Sequence, residues 1–466
     1  MENMKDGIEN IKITKNDTSE RCPECGQEFI NKILSYCKPC YSAHFRNNFT
    51  YWTSGNLNID ELIQNSQLNA NDKYELIEWI EYSNFKDVEF VANGGFGSVY
   101  KAIWQDGPIE EPFWNIKKSE WNRNSFKEVA IKKFRNATSV SLEFLKEVRS
   151  NLMLNYSTHC NGIYGVTCDP QNGEYAIVAK FQNDGNLREM IKKNYSILNW
   201  RVIIKILHNI SNGLYIVHNK NYLHRDLHSG NILNKLKNDP NLSISVISDF
   251  GLCCPANQSS EDKPLYGVLP FVAPEVLRGG EFTNAADIYG FGMLMSEIIN
   301  GNAPFVDRDY DLHLALDICG GERPLIPEYT PEPYAALMKC CWDPIPTNRP
   351  SANELLVQTG NWEKIICKFE FRDSQLTEEF SQEREDIWKA RLAELAINPH
   401  PLKISQNMLT SKRLYYSKQL TQLLETKDVE MKTNEIPEIL VNGASSPVSQ
   451  ILNSPAGNSP GLAHLN

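Results

Sequence analysis

Residues 224–231 read His224-Arg225-Asp226-Leu227-His228-Ser229-Gly230-Asn231. Asp226 places a carboxylate in this stretch, and Asn231 places a side-chain amide five residues later. This spacing is typical of a loop whose carboxylate accepts the proton of an attacking hydroxyl and whose amide ligates a metal ion. Farther along, Asp249-Phe250-Gly251 supplies a second carboxylate suited to the same metal. The side chains indicate phosphoryl transfer.

A glycine-rich stretch, Ala92-Asn93-Gly94-Gly95-Phe96-Gly97-Ser98-Val99, lies upstream between two strand-like runs. Glycines allow such a hairpin to approach phosphates through its backbone N–H groups, although a glycine hairpin alone is more often an ordinary turn. Val129-Ala130-Ile131-Lys132 then places an ammonium on a strand, where it can hold the α- and β-phosphates. Glu147, fifteen residues on in the helical stretch 143–153, can pair with Lys132.

The pattern around these motifs predicts an α+β protein with two lobes. Short β-rich runs occupy residues 85–142, and long helical patterns such as 200–218 and 285–299 follow residue 199. Strands followed by helices, without regular alternation, do not fit a doubly wound sheet.

With these motifs in order, residues 85–367 resemble a eukaryotic protein kinase domain. Ala273-Pro274-Glu275, Asp287-Ile288-Tyr289-Gly290-Phe291-Gly292 and Cys341-Trp342-Asp343 agree with the resemblance. It implies the two-lobed kinase fold, with a β-rich N-lobe and an α-rich C-lobe, and a pair between Arg349 and Glu275. The Cys-Trp-Asp signature is common in tyrosine kinases and tyrosine-kinase-like (TKL) kinases.

The resemblance implies an ATP-dependent enzyme that phosphorylates protein hydroxyls, with Ser/Thr favoured over Tyr. It implies that Asp226, Lys132 and Asn231 are the catalytic residues and that Asn231 and Asp249 are the Mg²⁺ ligands. The residues implied to form the nucleotide site are Ala92, Asn93, Gly94, Gly95, Phe96, Gly97, Val99, Ala130, Lys132, Glu147, Ala179 and Phe181. Ala179 aligns with the gate to the pocket behind the adenine, and so small a residue leaves that pocket open.

Cys22-Pro23-Glu24-Cys25 and Cys37-Lys38-Pro39-Cys40 form two Cys-x-x-Cys pairs near the N-terminus. Two such pairs fill the four positions of a closed, tetrahedral structural Zn²⁺ site. His44 is an alternative fourth ligand, and four unbound thiols are the plain alternative. With so few apolar residues, the segment is expected to need the metal for folding.

The flanking residues sharpen the resemblance. The cysteine pairs, residues 52–56 (Trp-Thr-Ser-Gly-Asn), Ile59-Asp60, Glu78-Trp79-Ile80 and residues 224–233 are similar to TKL kinases that are greatly expanded in arbuscular mycorrhizal fungi.

The 466-residue chain carries 47 basic and 58 acidic side chains, a net charge of −11. This balance disfavours binding to nucleic acid. The sequence lacks an apolar run of about eighteen residues and the apolar stretch of a secretory signal, so we expect no membrane partner. We expect a cytoplasmic, intracellular protein, with nuclear residence left open.

The segments predicted are a disordered N-terminus (1–20), a four-cysteine zinc knuckle (21–50), a helical linker (51–84), the kinase domain (85–367), a C-terminal helix (368–397) and a mostly disordered tail (398–466). Two short helices are expected between Asn56 and Tyr82, and a surface insertion over residues 106–124. The knuckle and the tail are candidate sites for protein partners.

Several residues depart from the kinase pattern. Ala92 replaces the first glycine, His228 replaces the Ser/Thr-type lysine, and Val268 replaces a threonine. Asn151 introduces an amide where an apolar side chain is usual, which would weaken its helix unless the amide has partners. These departures support an alternative function, that of a pseudokinase-like scaffold that binds nucleotide and partners without efficient catalysis. A zinc-dependent nucleic-acid binder with an accessory kinase domain is a third.

Overall fold

The computed structural model describes residues 21–29, 37–95, 97–134, 140–155, 157–193, 195–235, 244–256, 264–367, 374–398, 406–416, 419–420 and 422–423. The chain divides into two compact units, Met1–Thr421 and Gln422–Asn466, and every helix and strand named for this protein belongs to the first. The N-terminus and most of the tail predicted to be disordered lie outside the described residues.

Two helices precede the kinase-like region. These are α1 (Lys38–Asn48) and α2 (Leu57–Asn69), the latter capped by the Asn56 side chain, which accepts hydrogen bonds from two backbone N–H groups. The second helix predicted before Tyr82 is replaced by 3-10 turns on either side of a short strand, β1 (Glu78–Trp79). Ile77 and Ile80 are buried in two different hydrophobic clusters, as residues around a strand can be, and their helix-like spacing misled the prediction.

The N-lobe continues with β2 (Phe85–Asn93), β3 (Gly97–Trp104), β4 (Ile109–Asn115), β5 (Glu120–Arg123), β6 (Lys127–Phe134), α3 (Leu142–Leu154), β7 (Ile163–Asp169) and β8 (Glu174–Lys180). Among the described residues, six strands form one sheet in the order β1-β7-β8-β6-β3-β2. Every neighbouring pair is antiparallel except β1 and β7. Buried Ala102, Val129, Ile131 and Val178 form part of the core beneath it.

The insertion predicted at residues 106–124 forms the β4–β5 hairpin and packs on α1. Phe113, only 1% exposed, contacts Tyr41 with ring centroids 5.6 Å apart. Trp121 stacks on Phe45 at 4.3 Å. The hairpin therefore joins the cysteine-bearing segment to the N-lobe.

The C-lobe consists mainly of helices. Its elements are α4 (Leu187–Lys193), α5 (Trp200–Asn219), β9 (Tyr222–Leu223), β10 (Ile232–Lys235), β11 (Ile244–Ile247), β12 (Cys254–Pro255), β13 (Leu265–Gly267), α6 (Pro274–Leu277), α7 (Asn284–Asn300), α8 (Leu312–Cys319), α9 (Glu332–Cys341) and α10 (Ala352–Trp362). The long helices α5 and α7 confirm the two helical patterns read from the sequence. No helix in the described part of the chain is long and apolar enough to cross a bilayer.

Within the C-terminal helix predicted over residues 368–397, the described residues form two helices, α11 (Ser374–Glu379) and α12 (Gln382–Ile397). The break has a local cause. Phe380 is buried against the rings of Trp200 and Trp362, and the Ser381 hydroxyl accepts the N–H of Arg384 to begin α12.

Residues 406–416 belong to the tail that the sequence assigned to disorder, yet they include a 3-10 turn (Gln406–Leu409) and strand β14 (Lys412–Leu414). β14 pairs with β13. Because the strand with which β14 pairs is distant in the sequence, no local sequence pattern predicted β14.

Candidate active site

Lys132, Glu147 and Asp249 meet between β6, α3 and the loop after β11. Lys132 Nζ donates to Glu147 Oε1 at 2.6 Å and to Asp249 Oδ1 at 2.7 Å. The pairing of Lys132 with Glu147 that the resemblance implied is present. Ser141 caps α3 by accepting the N–H of Phe144, and buried Phe144 fixes the helix against the sheet.

Two carboxylates share this one ammonium. Burial alone would lower the pKa of Lys132, but the Asp249 and Glu147 carboxylates raise it, so the amine stays charged. Burial raises the pKa of Glu147 to about 7, against the pull of Lys132. Burial also acts to raise the pKa of Asp249, but the Lys132 ammonium outweighs it and holds that pKa below its usual value. Asp249 is thus kept ionised, as a Mg²⁺ ligand must be.

The loop carrying Asp226 and Asn231 is fixed from α7. The buried Asp287 carboxylate accepts the backbone N–H groups of His224 and Arg225, both at 2.9 Å. Asn231 Nδ2 donates to the Asp226 carbonyl oxygen at 2.9 Å and to Asp226 Oδ2 at 3.2 Å. The two side chains that the sequence paired by spacing are therefore in contact.

The loop bearing Asp249 adjoins this one. Ser248 donates its N–H and its hydroxyl to the Asn231 carbonyl oxygen, at 2.8 and 2.9 Å. Arg225 and Asp249 both have positive φ, 69° and 62°, a conformation that costs free energy in residues with side chains. The hydrogen bonds that Arg225 makes to Asp287 and Asp249 makes to Lys132 hold them there.

The glycine-rich stretch is a hairpin between β2 and β3. Ala92 pairs with Val99, and Asn93 with Ser98. The Gly94 N–H donates to the Gly97 carbonyl oxygen at 2.7 Å. A Cβ at Gly97 would overlap the Lys133 carbonyl oxygen, so glycine is required there. Phe96, also predicted to contact nucleotide, lies outside the described residues.

At the other end of the cleft, Ala130 of β6 pairs with Ala179 of β8. Both residues implied for the adenine site are thus side by side in the sheet, and neither side chain is bulky. Phe181 follows β8, and the Lys101 ammonium lies 5.2 Å from the centre of its ring.

His228 occupies a position that sequence reasoning treated only as a departure. Its Nδ1 accepts the N–H of Gly230 at 3.0 Å, and its Nε2 lies 3.7 Å from Asp226 Oδ2. The imidazole therefore reaches the carboxylate that the absent lysine would neighbour. The position of His228 two residues after Asp226 was the sequence feature that could have indicated this proximity.

The departure at Asn151 has a partner. Its Nδ2 donates to the Glu147 carbonyl oxygen at 2.8 Å, one turn earlier in α3. The amide predicted to weaken this helix is therefore hydrogen-bonded within it. Val268 is 1% exposed, immediately before the buried 3-10 turn Leu269–Phe271.

The four N-terminal cysteine sulfurs converge, each within 4.8 Å of the others: Cys22, Cys25, Cys37 and Cys40. Cys22 and Cys40 are 3.8 Å apart and Cys25 and Cys37 are 3.6 Å apart. Ligands about 2.3 Å from a tetrahedral Zn²⁺ have about this separation. The cluster can therefore hold one such ion with little rearrangement.

His44, the alternative fourth ligand, is engaged elsewhere. Its Nε2 lies 2.9 Å from Glu24 Oε2, and its ring stacks on Trp114 with centroids 3.7 Å apart. Burial raises the pKa of Cys37 to about 11, so zinc binding would have to displace thiol protons.

Three features lie between the β-rich and the α-rich lobe. They are a glycine-rich hairpin, a lysine paired with a glutamate on a helix, and a loop in which a carboxylate contacts an amide. This is the arrangement of a phosphotransferase of the protein kinase class. Residues 85–359, more than half of the chain, match the model of the family described as protein tyrosine and serine/threonine kinase. The chain belongs to this family.

Known relatives agree with the family. The chain is 29% identical over 289 residues to a probable serine/threonine-protein kinase of Dictyostelium discoideum, covering 60% of this chain and 16% of that protein. It is 30% identical over 292 residues to the dual specificity protein kinase pyk3 of the same organism, covering 62% and 19%. It is 27% identical over 294 residues to mitogen-activated protein kinase kinase kinase 10 of Xenopus laevis, covering 60% and 26%. The chain thus spans about a quarter or less of these relatives' length.

Proposed function

We propose that the protein is an ATP-dependent protein kinase that transfers the γ-phosphoryl group to protein hydroxyls in signalling. The observation that carries this is the contact of Lys132 with both Glu147 and Asp249, at 2.6 and 2.7 Å. That contact sets a charged amine and an ionised carboxylate side by side, as binding of a metal-bound triphosphate requires.

Each residue of the cleft has its own task in this reaction. Lys132 would hold the α- and β-phosphates, and Glu147 would orient Lys132. Asp249 and Asn231 would ligate Mg²⁺, which bridges the phosphates and neutralises their charge. Asp226 would orient the acceptor hydroxyl and take its proton.

We infer Ser/Thr specificity from the names of the relatives, among them a probable serine/threonine-protein kinase. The likeness to a mitogen-activated protein kinase kinase kinase supports the TKL group. Assignment to the fungal branch of that group rests on the flanking motifs alone.

The test is phosphate incorporation by the full chain from labelled ATP with Mg²⁺, beside Asp226→Asn. We expect Asp226→Asn to lose about 10²–10⁴-fold in rate, the usual contribution of a positioned base. Asp309→Asn, at an exposed aspartate between α7 and α8, is a matched control for the loss of one carboxylate. Equal incorporation by wild type and Asp226→Asn would refute the assignment.

We also propose that the four-cysteine cluster holds one structural Zn²⁺. The support is the 3.6–3.8 Å separation of the sulfurs within each close pair. Elemental analysis should find one zinc per chain, and none in Cys22→Ser, while Cys340→Ser keeps it because Cys340 is exposed and outside the cluster. Retention of zinc by Cys22→Ser would contradict the site.

A further inference from the structure

The tail segment 406–416 lies along the edge of the active-site cleft. β14 pairs antiparallel with β13, in the register Leu414 to Leu265, Arg413 to Tyr266 and Lys412 to Gly267. β13 belongs to the loop between Asp249 and Glu275, which links the metal-binding carboxylate to α6. An extended peptide can bind a protein in the same way, by pairing its backbone with an exposed strand.

The segment is anchored on both sides of the strand. On the N-terminal side, Arg188 Nη1 donates to the Leu409 carbonyl oxygen at 2.6 Å, while Arg188 Nε pairs with buried Glu297 at 3.2 Å. On the C-terminal side, the Tyr416 hydroxyl donates to the Tyr310 carbonyl oxygen at 3.4 Å. Leu409 and Leu414 are buried, 3% and 4% exposed. Both polar and apolar contacts thus fix the register.

This register brings Ser411 against the glycine hairpin. A Cβ at Gly95 would overlap the Ser411 carbonyl oxygen, so residue 411 touches the glycine hairpin. Its neighbour Lys412 pairs with Gly267, and a Cβ at Gly267 would be 3.9 Å from Asp226 Oδ1. Ser411 therefore lies between the hairpin expected to cover the phosphates and the carboxylate expected to receive the proton.

The Ser411 side chain is itself distinctive. The residue is 7% exposed, and its hydroxyl has no hydrogen-bond partner among the described residues. Leaving a buried hydroxyl unpaired is unfavourable, so the position calls for a group that the hydroxyl can engage. An approaching phosphoryl group would provide one.

We propose that Ser411 is a phosphorylation site that the chain modifies on itself, as a substrate bound within the same molecule. The inference rests on the proposed kinase function. Ser411 Oγ attacks the γ-phosphorus of ATP, the bond from that phosphorus to the β,γ-bridging oxygen breaks, and ADP leaves. The hydroxyl proton passes to Asp226. The product is phosphoserine 411.

The first experiment maps phosphosites on the purified full chain by mass spectrometry after incubation with ATP and Mg²⁺, with a generic protein substrate in the same tube. Because a tethered segment has an effective concentration of about millimolar, the fraction of Ser411 phosphorylated per unit time should stay constant over about 100-fold dilution of the enzyme. The fraction of the generic substrate phosphorylated per unit time should fall in proportion to the enzyme concentration. A fraction of Ser411 phosphorylated per unit time that falls with dilution would overturn the proposal.

Mixing adds an independent reading. A tagged Asp226→Asn chain is incubated with dilute wild type. Ser411 of the tagged chain should remain unmodified while Ser411 of wild type gains phosphate. Equal modification of both chains shows transfer between molecules and overturns the proposal, as does phosphate on Thr410 instead of Ser411.

A pair of substitutions then tests the strand. Arg413→Pro disrupts pairing in the middle of β14, whereas Arg413→Ala removes only an exposed side chain. We expect Arg413→Pro to lower Ser411 phosphorylation at least about tenfold, since it loses the register that places the hydroxyl. Arg413→Ala should match wild type. If Ser411 is phosphorylated in Arg413→Pro as fast as in wild type, the inference is contradicted. The inference is also contradicted if wild type phosphorylates the generic substrate but forms no phosphoserine 411. Absence of incorporation into any protein refutes the kinase function and the inference with it.

Discussion

Removal of the Arg349 guanidinium should strongly destabilise the C-lobe. The Arg349 side chain is fully buried, and its two Nη atoms donate to the two oxygens of Glu275 at 2.7 and 2.8 Å. It also donates to the carbonyl oxygens of Ala285 and Asp343, both at 2.9 Å. Arg349→Ala removes the donor from all of these oxygens and opens a cavity beside them.

The magnitude follows from this burial. Breaking a buried pair by removing one partner costs about 3–5 kcal/mol. For a domain of this size the melting temperature should fall by about 6–15 °C. Because Glu275 lies in the first turn of α6, directly after the loop that carries β13, kinase activity should fall with stability. Scanning calorimetry of the full chain, with a parallel phosphorylation assay, measures both.

Arg308 offers the matched control. It pairs with Asp317 and Glu322, but its side chain is 30% exposed and its partners 44% and 47% exposed. Exposed pairs contribute about 0–1 kcal/mol, so Arg308→Ala should lower the melting temperature by no more than about 3 °C. Equal losses for Arg308→Ala and Arg349→Ala would refute the reasoning from burial.

Three further outcomes can be measured. Ala179→Met should lower the affinity of bulky purine analogues at least about tenfold in competition binding, since a new side chain fills the pocket behind the adenine; unchanged affinity would show that the alignment of the gate is wrong. Gly97→Ala should weaken ATP binding in calorimetric titrations because the added Cβ would clash with the Lys133 carbonyl oxygen. Burial, and then the charges of neighbouring cations, lowers the pKa of His159 to about 4, so the unfolded chain binds the extra proton between pH 4 and its ordinary pKa of 6.5. The free energy of unfolding should therefore rise with pH across that window by up to about 1.4 kcal/mol per pH unit. When it is measured by urea unfolding at a series of pH values, the free energy of unfolding of His159→Gln should rise less steeply with pH than that of wild type.

Spacing predicted the cleft well because its chemistry is carried by short motifs on separate elements. Lys132 and Asp249 are 117 residues apart, yet each sits in a motif that marks its own position. The same holds for Asp226 and Asn231, whose contact is made within one loop. For these residues the fold has only to bring preformed local pieces together.

Features that depend on distant partners were not predictable in this way. Residues 106–124 were predicted to be a surface insertion, and nothing in their own pattern shows that Phe113 and Trp121 contact α1. Ile77 and Ile80 are spaced as in a helix, but the two residues between them form strand β1. β14 is three residues long and pairs with β13, so its local sequence resembles that of the polar tail around it.

The positions of the residues that depart from the kinase pattern weaken the case for a scaffold without catalysis. His228 differs from the expected lysine in type, but its Nε2 lies 3.7 Å from the Asp226 carboxylate, so the side chain still contacts this residue. Asn151 is hydrogen-bonded inside α3, and Ala92 continues the pairing of β2 with β3 through Val99. Lys132 contacts both Glu147 and Asp249 in a chain that carries all of these departures. Catalytic competence depends on those groups, so the departures are better explained as variation around an intact site than as its decay.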